Sequence, residues 1–288
     1  MIARATSRGL VALLLGALAC GSEPSTVHTN TQDPSSPTGD LTFLRHGELV
    51  TTLSLTELAR VFEPTIVTTD DPYYERRKRF RAMPIEPILE RAFGASIDAL
   101  RRESFVLEAR DGYAVPMSGE RLLEGGAHVA IDDADVPGFE PIGPQRVSPA
   151  PAYLVWSRVG QASLETHPRP WQLASIEIAS FEALYPHTVP TGEPEGSPAM
   201  RGFELFRGEC IRCHAINREG GRVGPELNVP QSIVEYRDPD FLRAYIRDPL
   251  RFRYGAMPPH PGLDDRDLDD LIAYFRAMST RKHDPDAR

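Results

Sequence analysis

Two thiols separated by two residues and followed at once by an imidazole can grip a metal macrocycle using one short segment. Cys210-Ile211-Arg212-Cys213-His214 is such a segment. Its C-x-x-C-H spacing is that of covalent haem attachment. The two thiols add to the two vinyl groups of the ring, and the next residue falls beneath the iron as its proximal ligand. Two other chemistries are open to the same atoms. Cys210, Cys213, His214 and His260 would satisfy the ligand count of a zinc site, and Cys210 with Cys213 could form a disulfide. The chain has 3 cysteines, and the third, Cys20, belongs to a different feature at the N-terminus.

The sequence around the motif decides between these readings. Arg201 to Glu209 carries Phe203, Leu205 and Phe206 in a helix-compatible pattern, with Gly202 small enough for close helix contact. Downstream come Gly224-Pro225-Glu226-Leu227 and Gly255-Ala256-Met257-Pro258-Pro259. Asp264 to Met278 follows as a helix, with Leu268, Leu271, Ile272 and Phe275 at three- and four-residue steps. This order, from Ser197 to His283, resembles class I cytochrome c. The resemblance implies a small all-α domain with one covalent haem c, a Met-bearing loop, and a C-terminal helix crossing the N-terminal one. It also implies that Pro225 supports His214 through a neighbouring carbonyl; the alternative is an ordinary loop proline.

The sixth iron ligand follows by elimination. A thioether suits iron in an apolar pocket. Met1 is removed with the leader, and Met83 and Met117 lie in the other domain. Met200 is too near the first helix, and Met278 reads as core of the last. Met257 remains, with His260 as the runner-up.

The N-terminus reads as an address. Arg4 and Arg8 precede an apolar stretch, Leu10 to Ala19, as in a signal peptide at residues 1–19. Ala17-Leu18-Ala19-Cys20 resembles a bacterial lipobox, which implies lipidation of Cys20; simple cleavage after Ala19 is the alternative. Residues 20–40 are polar and Pro-rich, as in a disordered tether. Gly21 resembles the sorting signal of lipoproteins sent to an outer membrane. The expected location is the bacterial periplasm, with the chain held at a membrane by its lipid.

Residues 41–185 alternate strands and helices as an α+β domain. Leu41–Leu44 and Leu49–Leu53 flank a His46-Gly47 turn, and Ser54 and Glu57 form a capping box. A helix at Pro84–Phe93 stops at Gly94, and Phe105–Pro116 forms a hairpin through Asp111-Gly112. Later strands are expected at His128–Ile131, Tyr153–Trp156 and Leu173–Ile178. The order resembles the molybdopterin-binding domain of the sulfite oxidase fold, through Met83-Pro84-Ile85, Asp111-Gly112-Tyr113, Gly125-Gly126 to Asp133, and Trp171 to Ile178. That family ligates molybdenum with a cysteine, and none exists between Cys20 and Cys210. The resemblance therefore implies a repurposed scaffold that docks a partner. The basic run Glu75 to Arg81 reads as a solvated loop, or alternatively as a docking patch. His46, His128, His167 and His187 read as structural, and the aspartates of Asp264–Asp270 as helix-start caps. Residues 186–197 read as an interdomain linker, with 198–288 as the haem domain.

The whole chain of 288 residues carries 32 Lys and Arg against 41 Asp and Glu, a net charge of -9. That balance argues against nucleic-acid binding. A fully ligated iron leaves no position for substrate, which favours a single-electron carrier with redox donor and acceptor proteins over catalysis. Two alternatives remain: a redox enzyme subunit whose first domain binds substrate or cofactor, and an assembly module of a redox complex.

Overall fold

The computed structural model describes residues 38–143, 145–255 and 257–285. The expected leader, Cys20 and most of the tether lie outside these residues. The first half begins with β1 (Asp40–Arg45) and β2 (Glu48–Ser54), joined by His46 and Gly47 at φ 51° and 83°, the twist a two-residue hairpin needs. Ser54 Oγ then accepts the Glu57 N–H at 3.1 Å and starts α1 (Leu55–Val61). There follow β3 (Thr65–Asp71), β4 (Arg76–Pro84), α2 (Ile85–Phe93), α3 (Ile97–Leu100), β5 (Ser104–Ala109), β6 (Ala114–Ser118), α4 (Gly119–Leu122), β7 (Ala127–Asp133), β8 (Tyr153–Trp156), β9 (Leu173–Ile178) and α5 (Phe181–Leu184). Gly94, at φ 61°, ends α2.

The strands form two sheets, ordered β2-β1-β9-β5-β6 and β3-β4-β7-β8. All pairings are antiparallel except β1 with β9. One core joins Leu41 and Phe43 of β1, Ile88 and Leu89 of α2, Leu107 of β5 and Leu154 and Trp156 of β8. The other face of the second sheet is closed by Phe80, Tyr153, Val155, Phe139 and Ile142. The first half is thus a mixed α/β region, as expected.

The basic run is corrected: it is neither a solvated loop nor a free patch, but lies in β4. Alternation sends Lys78, Phe80 and Ala82 inward. Buried Lys78 pairs with Asp133 and with Glu140 at 2.8 Å. The outward arginines meet carboxylates, Arg77 on Asp70 at 3.1 Å and Arg79 on Asp135 at 2.9 Å. Five basic side chains hide a period-2 pattern because a strand edged with acids tolerates charge as readily as a loop does.

The second half is helical: α6 (Pro198–Leu205), a π-turn at Phe206–Cys210, two short strands β10 (Ala215–Ile216) and β11 (Glu219–Gly220), α7 (Ile233–Tyr236), α8 (Pro239–Arg247) and α9 (Asp265–Ser279). The expected linker is strapped to it. Tyr274 donates to the Thr188 carbonyl at 2.7 Å, Asn217 to the His187 carbonyl at 2.7 Å, and Arg281 to the Thr191 carbonyl at 2.9 Å. Phe181 already packs in the helical core. No helix among the described residues is long and apolar enough to cross a membrane.

Candidate haem site

The site hangs from a helix crossing. A Cβ on Gly202 of α6 would fall 1.9 Å from the Asp270 carbonyl oxygen of α9, so backbone touches backbone there. Arg201 clamps the same point, donating to both Asp270 oxygens at 2.6 and 2.7 Å. Asp270 is therefore a buried ion-pair partner and not a helix cap, which corrects that part of the aspartate reading. Asp264 and Asp267 do form the capping box of α9. Phe206 packs on Tyr274 and Phe275, with ring centroids 5.3 and 6.2 Å apart, and Met278 lies buried in this core.

From α6 the chain runs straight into the cysteine motif. The Ile211 N–H reaches back five residues to the Phe206 carbonyl at 2.9 Å, widening the last turn. The Cys210 carbonyl then accepts from both Cys213 and His214 N–H groups, at 3.1 and 2.9 Å. Burial pushes the Cys210 thiol up to about 12 and the Cys213 thiol up to about 11. Both are neutral S–H groups at pH 7, and both are free.

His214 Nδ1 lies 2.9 Å from the Pro225 carbonyl oxygen. That carbonyl can only accept, so Nδ1 carries the proton and Nε2 keeps its lone pair. Burial lowers the His214 pKa and holds the ring neutral. Gly224 lies flat against the imidazole; a Cβ there would sit 2.5 Å from Cε1. Glu226, which sequence reading passed over, organises the loop. Its Oε1 accepts the N–H groups of Asn217, Asn228 and Val229 at 3.0, 2.7 and 3.0 Å, and its Oε2 that of Arg218 at 2.9 Å. A lone glutamate beside Gly-Pro carries no periodic signal, so only the folded loop reveals it.

Met257 is half-buried against the helical core. On the same loop His260 N–H reaches the Ile246 carbonyl at 3.3 Å, burial lowers its pKa, and its charge is felt at His214. Among the described residues, no group of three or more His, Cys, Asp and Glu side chains converges on a metal-ion position. Cys210, Cys213, His214 and His260 thus do not assemble into the alternative zinc site. Two thiols, an imidazole with one nitrogen held free, a thioether nearby and an apolar core form a donor set that fits haem c.

The first half roofs this segment. The Ala114 N–H on the edge of β6 donates to the Arg212 carbonyl at 3.1 Å, and the Arg222 N–H to the Gly112 carbonyl at 3.0 Å. The Arg212 guanidinium donates to the Leu164 and Glu165 carbonyls at 3.2 and 3.1 Å. His167 and His128 are structural, as expected: the first is buried against Glu124 at 2.8 Å, and the second reaches the Gly126 carbonyl at 2.9 Å.

Comparison with known proteins locates the same region. The family model for cytochrome c oxidase, cbb3-type, subunit III matches residues 197–275. Cytochrome c oxidase subunit 2 of Alkalihalophilus pseudofirmus is 35% identical over 117 residues, which is 38% of this chain but only 34% of that protein. Cytochrome c of Gibberella zeae is 28% identical over 101 residues, 28% of this chain and 94% of the relative. Cytochrome c of Theileria annulata is 30% identical over 106 residues, 31% of this chain and 91% of the relative. Through a C-terminal domain that spans nearly the whole of such a relative, the chain belongs to the cytochrome c family, whose domain carries covalent haem c and moves electrons.

Proposed function

We propose that the chain is an exported, lipid-anchored monohaem carrier of single electrons. Cys210 and Cys213 would hold a haem through their thiols, and His214 and Met257 would ligate its iron. When bound, the haem iron alternates between two oxidation states and so accepts and releases one electron. The chain's residues supply the rest. Pro225 fixes the His214 tautomer, Glu226 holds the Pro225 loop, and Met257 would offer its thioether to the iron from a loop packed on the core. The observation that carries this reading is the His214 Nδ1 to Pro225 carbonyl bond beside two free, half-buried thiols.

In this reading Cys20 is the lipid-bearing residue, and the protein faces the bacterial periplasm from a membrane. The mixed α/β half resembles the molybdopterin-binding domain of the sulfite oxidase fold. Without a thiolate to ligate molybdenum it serves as a docking scaffold for redox donors and acceptors. Holoprotein made with a haem-maturation system should take up one electron per chain in a reductive titration followed by its visible spectrum. A chain that matures without haem, or that takes two electrons through a second group in residues 41–185, would contradict this. Lipidation is checked by the intact mass of the membrane-extracted protein.

A further inference from the structure

We propose that an aromatic wall of the first half, made by Tyr73, Tyr113 and Trp171, closes over Cys213, keeps water from the ring edge that this cysteine would hold, and so favours the reduced iron. The inference rests on the haem-carrier reading and gives the mixed α/β half a task inside the molecule.

Backbone places the wall. β6 is the last strand of its sheet, and its outer edge is taken up by the cysteine motif. The Ala114 N–H donates to the Arg212 carbonyl at 3.1 Å, and the Arg222 N–H to the Gly112 carbonyl at 3.0 Å. Tyr113 and Cys213 each lie one residue from the same hydrogen bond, so their backbones run side by side. A Cβ on Gly112 would fall 2.8 Å from the Arg222 side chain, which leaves no room for a loose seam. The Arg212 guanidinium pins the far side, on the Leu164 and Glu165 carbonyls at 3.2 and 3.1 Å.

The rings are backed by protein. Tyr113 packs on the larger core of the first half, and Tyr73 and Trp171 pack on the smaller one. Tyr73 stacks on Trp171 with centroids 5.1 Å apart and planes at 20°, and the Asp71 carboxylate accepts the Tyr73 N–H at 3.0 Å. Burial pushes the Tyr113 hydroxyl up to about 12 and the Tyr73 hydroxyl well above the usual phenol range, and Cys213 acts on both. Both phenols are neutral.

Charge along the seam cancels. Arg222 pairs with Glu108 at 2.6 Å and Asp71 with Arg169 at 3.3 Å. The charges felt at Cys213 are Asp111 and Arg212, of opposite sign. What remains is the exclusion of water. Oxidised iron carries one more positive charge than reduced iron, so a dry wall disfavours the oxidised form and raises the potential. Linkage makes the effect reciprocal, and reduction should tighten the seam by the same factor.

The test is the midpoint potential of the holoprotein, read by optical spectroelectrochemistry in wild type, Tyr73→Ser/Tyr113→Ser and Tyr73→Phe/Tyr113→Phe. At one electrode potential the serine variant should show a reduced-to-oxidised ratio about tenfold lower, a shift of about 59 mV for one electron. The phenylalanine variant keeps the rings and should stay near wild type. Ala114→Pro removes one N–H from an edge strand, leaves the aromatic residues in place, and should move the ratio in the same direction. In wild type the Ala114 amide should exchange its hydrogen more slowly in the reduced protein than in the oxidised one. A ratio unchanged or higher in the serine variant overturns the wall; should that variant not fold, the same result in Ala114→Pro overturns it. A phenylalanine variant that matches the serine variant also overturns it, since the hydroxyls and not the rings would then be responsible. A wild type with no reversible one-electron couple overturns the carrier reading instead.

Discussion

His214 can bind iron only while one ring nitrogen stays unprotonated and the ring stays put, and three neighbours see to this. The Pro225 carbonyl takes the Nδ1 proton, Gly224 leaves room for the ring, and Glu226 ties the loop through four backbone N–H groups. Glu226→Ala leaves those donors unpaired, and three of the four, on Asn217, Asn228 and Val229, belong to buried residues; chemical denaturation of the holoprotein should show a loss of about 3 kcal/mol. Unchanged stability would mean that water replaces the carboxylate at no cost. Gly224→Ala forces a methyl into the imidazole and should lower the haem-to-protein ratio of matured protein. An undiminished ratio would show that the loop can move aside. Cys210, Cys213 and His214 could be singled out because cysteine and histidine are rare in this chain and stand here at a meaningful spacing, and Pro225 because it follows Gly224 in a short loop; Met257 belongs to the proposed ligand set. Glu226 and Arg212 could not be singled out, because a glutamate in a loop or an arginine between two cysteines has a meaning only once the chain has folded around it.

At the scale of elements, the crossing of α6 and α9 is the joint that lets the cysteine motif meet the Pro225 and Met257 loops. Gly202→Ala pushes a methyl into the Asp270 carbonyl and should cost about 3 kcal/mol as the helices separate, read by the thermal midpoint of the holoprotein. A midpoint within a degree or so of wild type would show the joint to be soft. Sequence periodicity revealed α9 because its apolar residues repeat at helical steps over fifteen positions. It revealed β1, β2 and β5 through β9 from alternation and turn residues. It failed for β3 and β4, where the inward positions include Asp71, Thr69 and Lys78. Buried ion pairs there replace the apolar half of the pattern, and no single-strand reading can see a partner on another segment, as Asp133 of β7 is for Lys78 and Arg169 for Asp71.

At the scale of the molecule, the two halves meet at the haem motif itself, through Arg212 and Arg222. The first half also carries an acid sensitivity of its own. The Lys78 ammonium, hydrogen-bonded to Glu140 and aided by Arg76, holds that carboxyl below the usual glutamate range. A depressed folded value contributes stability that is present above about pH 4.3, the ordinary value, and is lost as pH falls through the folded one. The advantage of wild type over Glu140→Gln in urea midpoint should therefore shrink between about pH 6 and about pH 3; an advantage independent of pH would remove Glu140 from this role. The electron-carrier assignment as a whole stands on iron held between His214 and Met257. It is tested most directly by the oxidised visible spectrum of wild type, Met257→Ala and His260→Ala holoproteins. Wild type and His260→Ala should show the sulfur-to-iron charge-transfer band and a low-spin spectrum, and Met257→Ala should lose both with its haem still covalently bound. A band that survives in Met257→Ala, or that disappears in His260→Ala alone, would contradict the assignment.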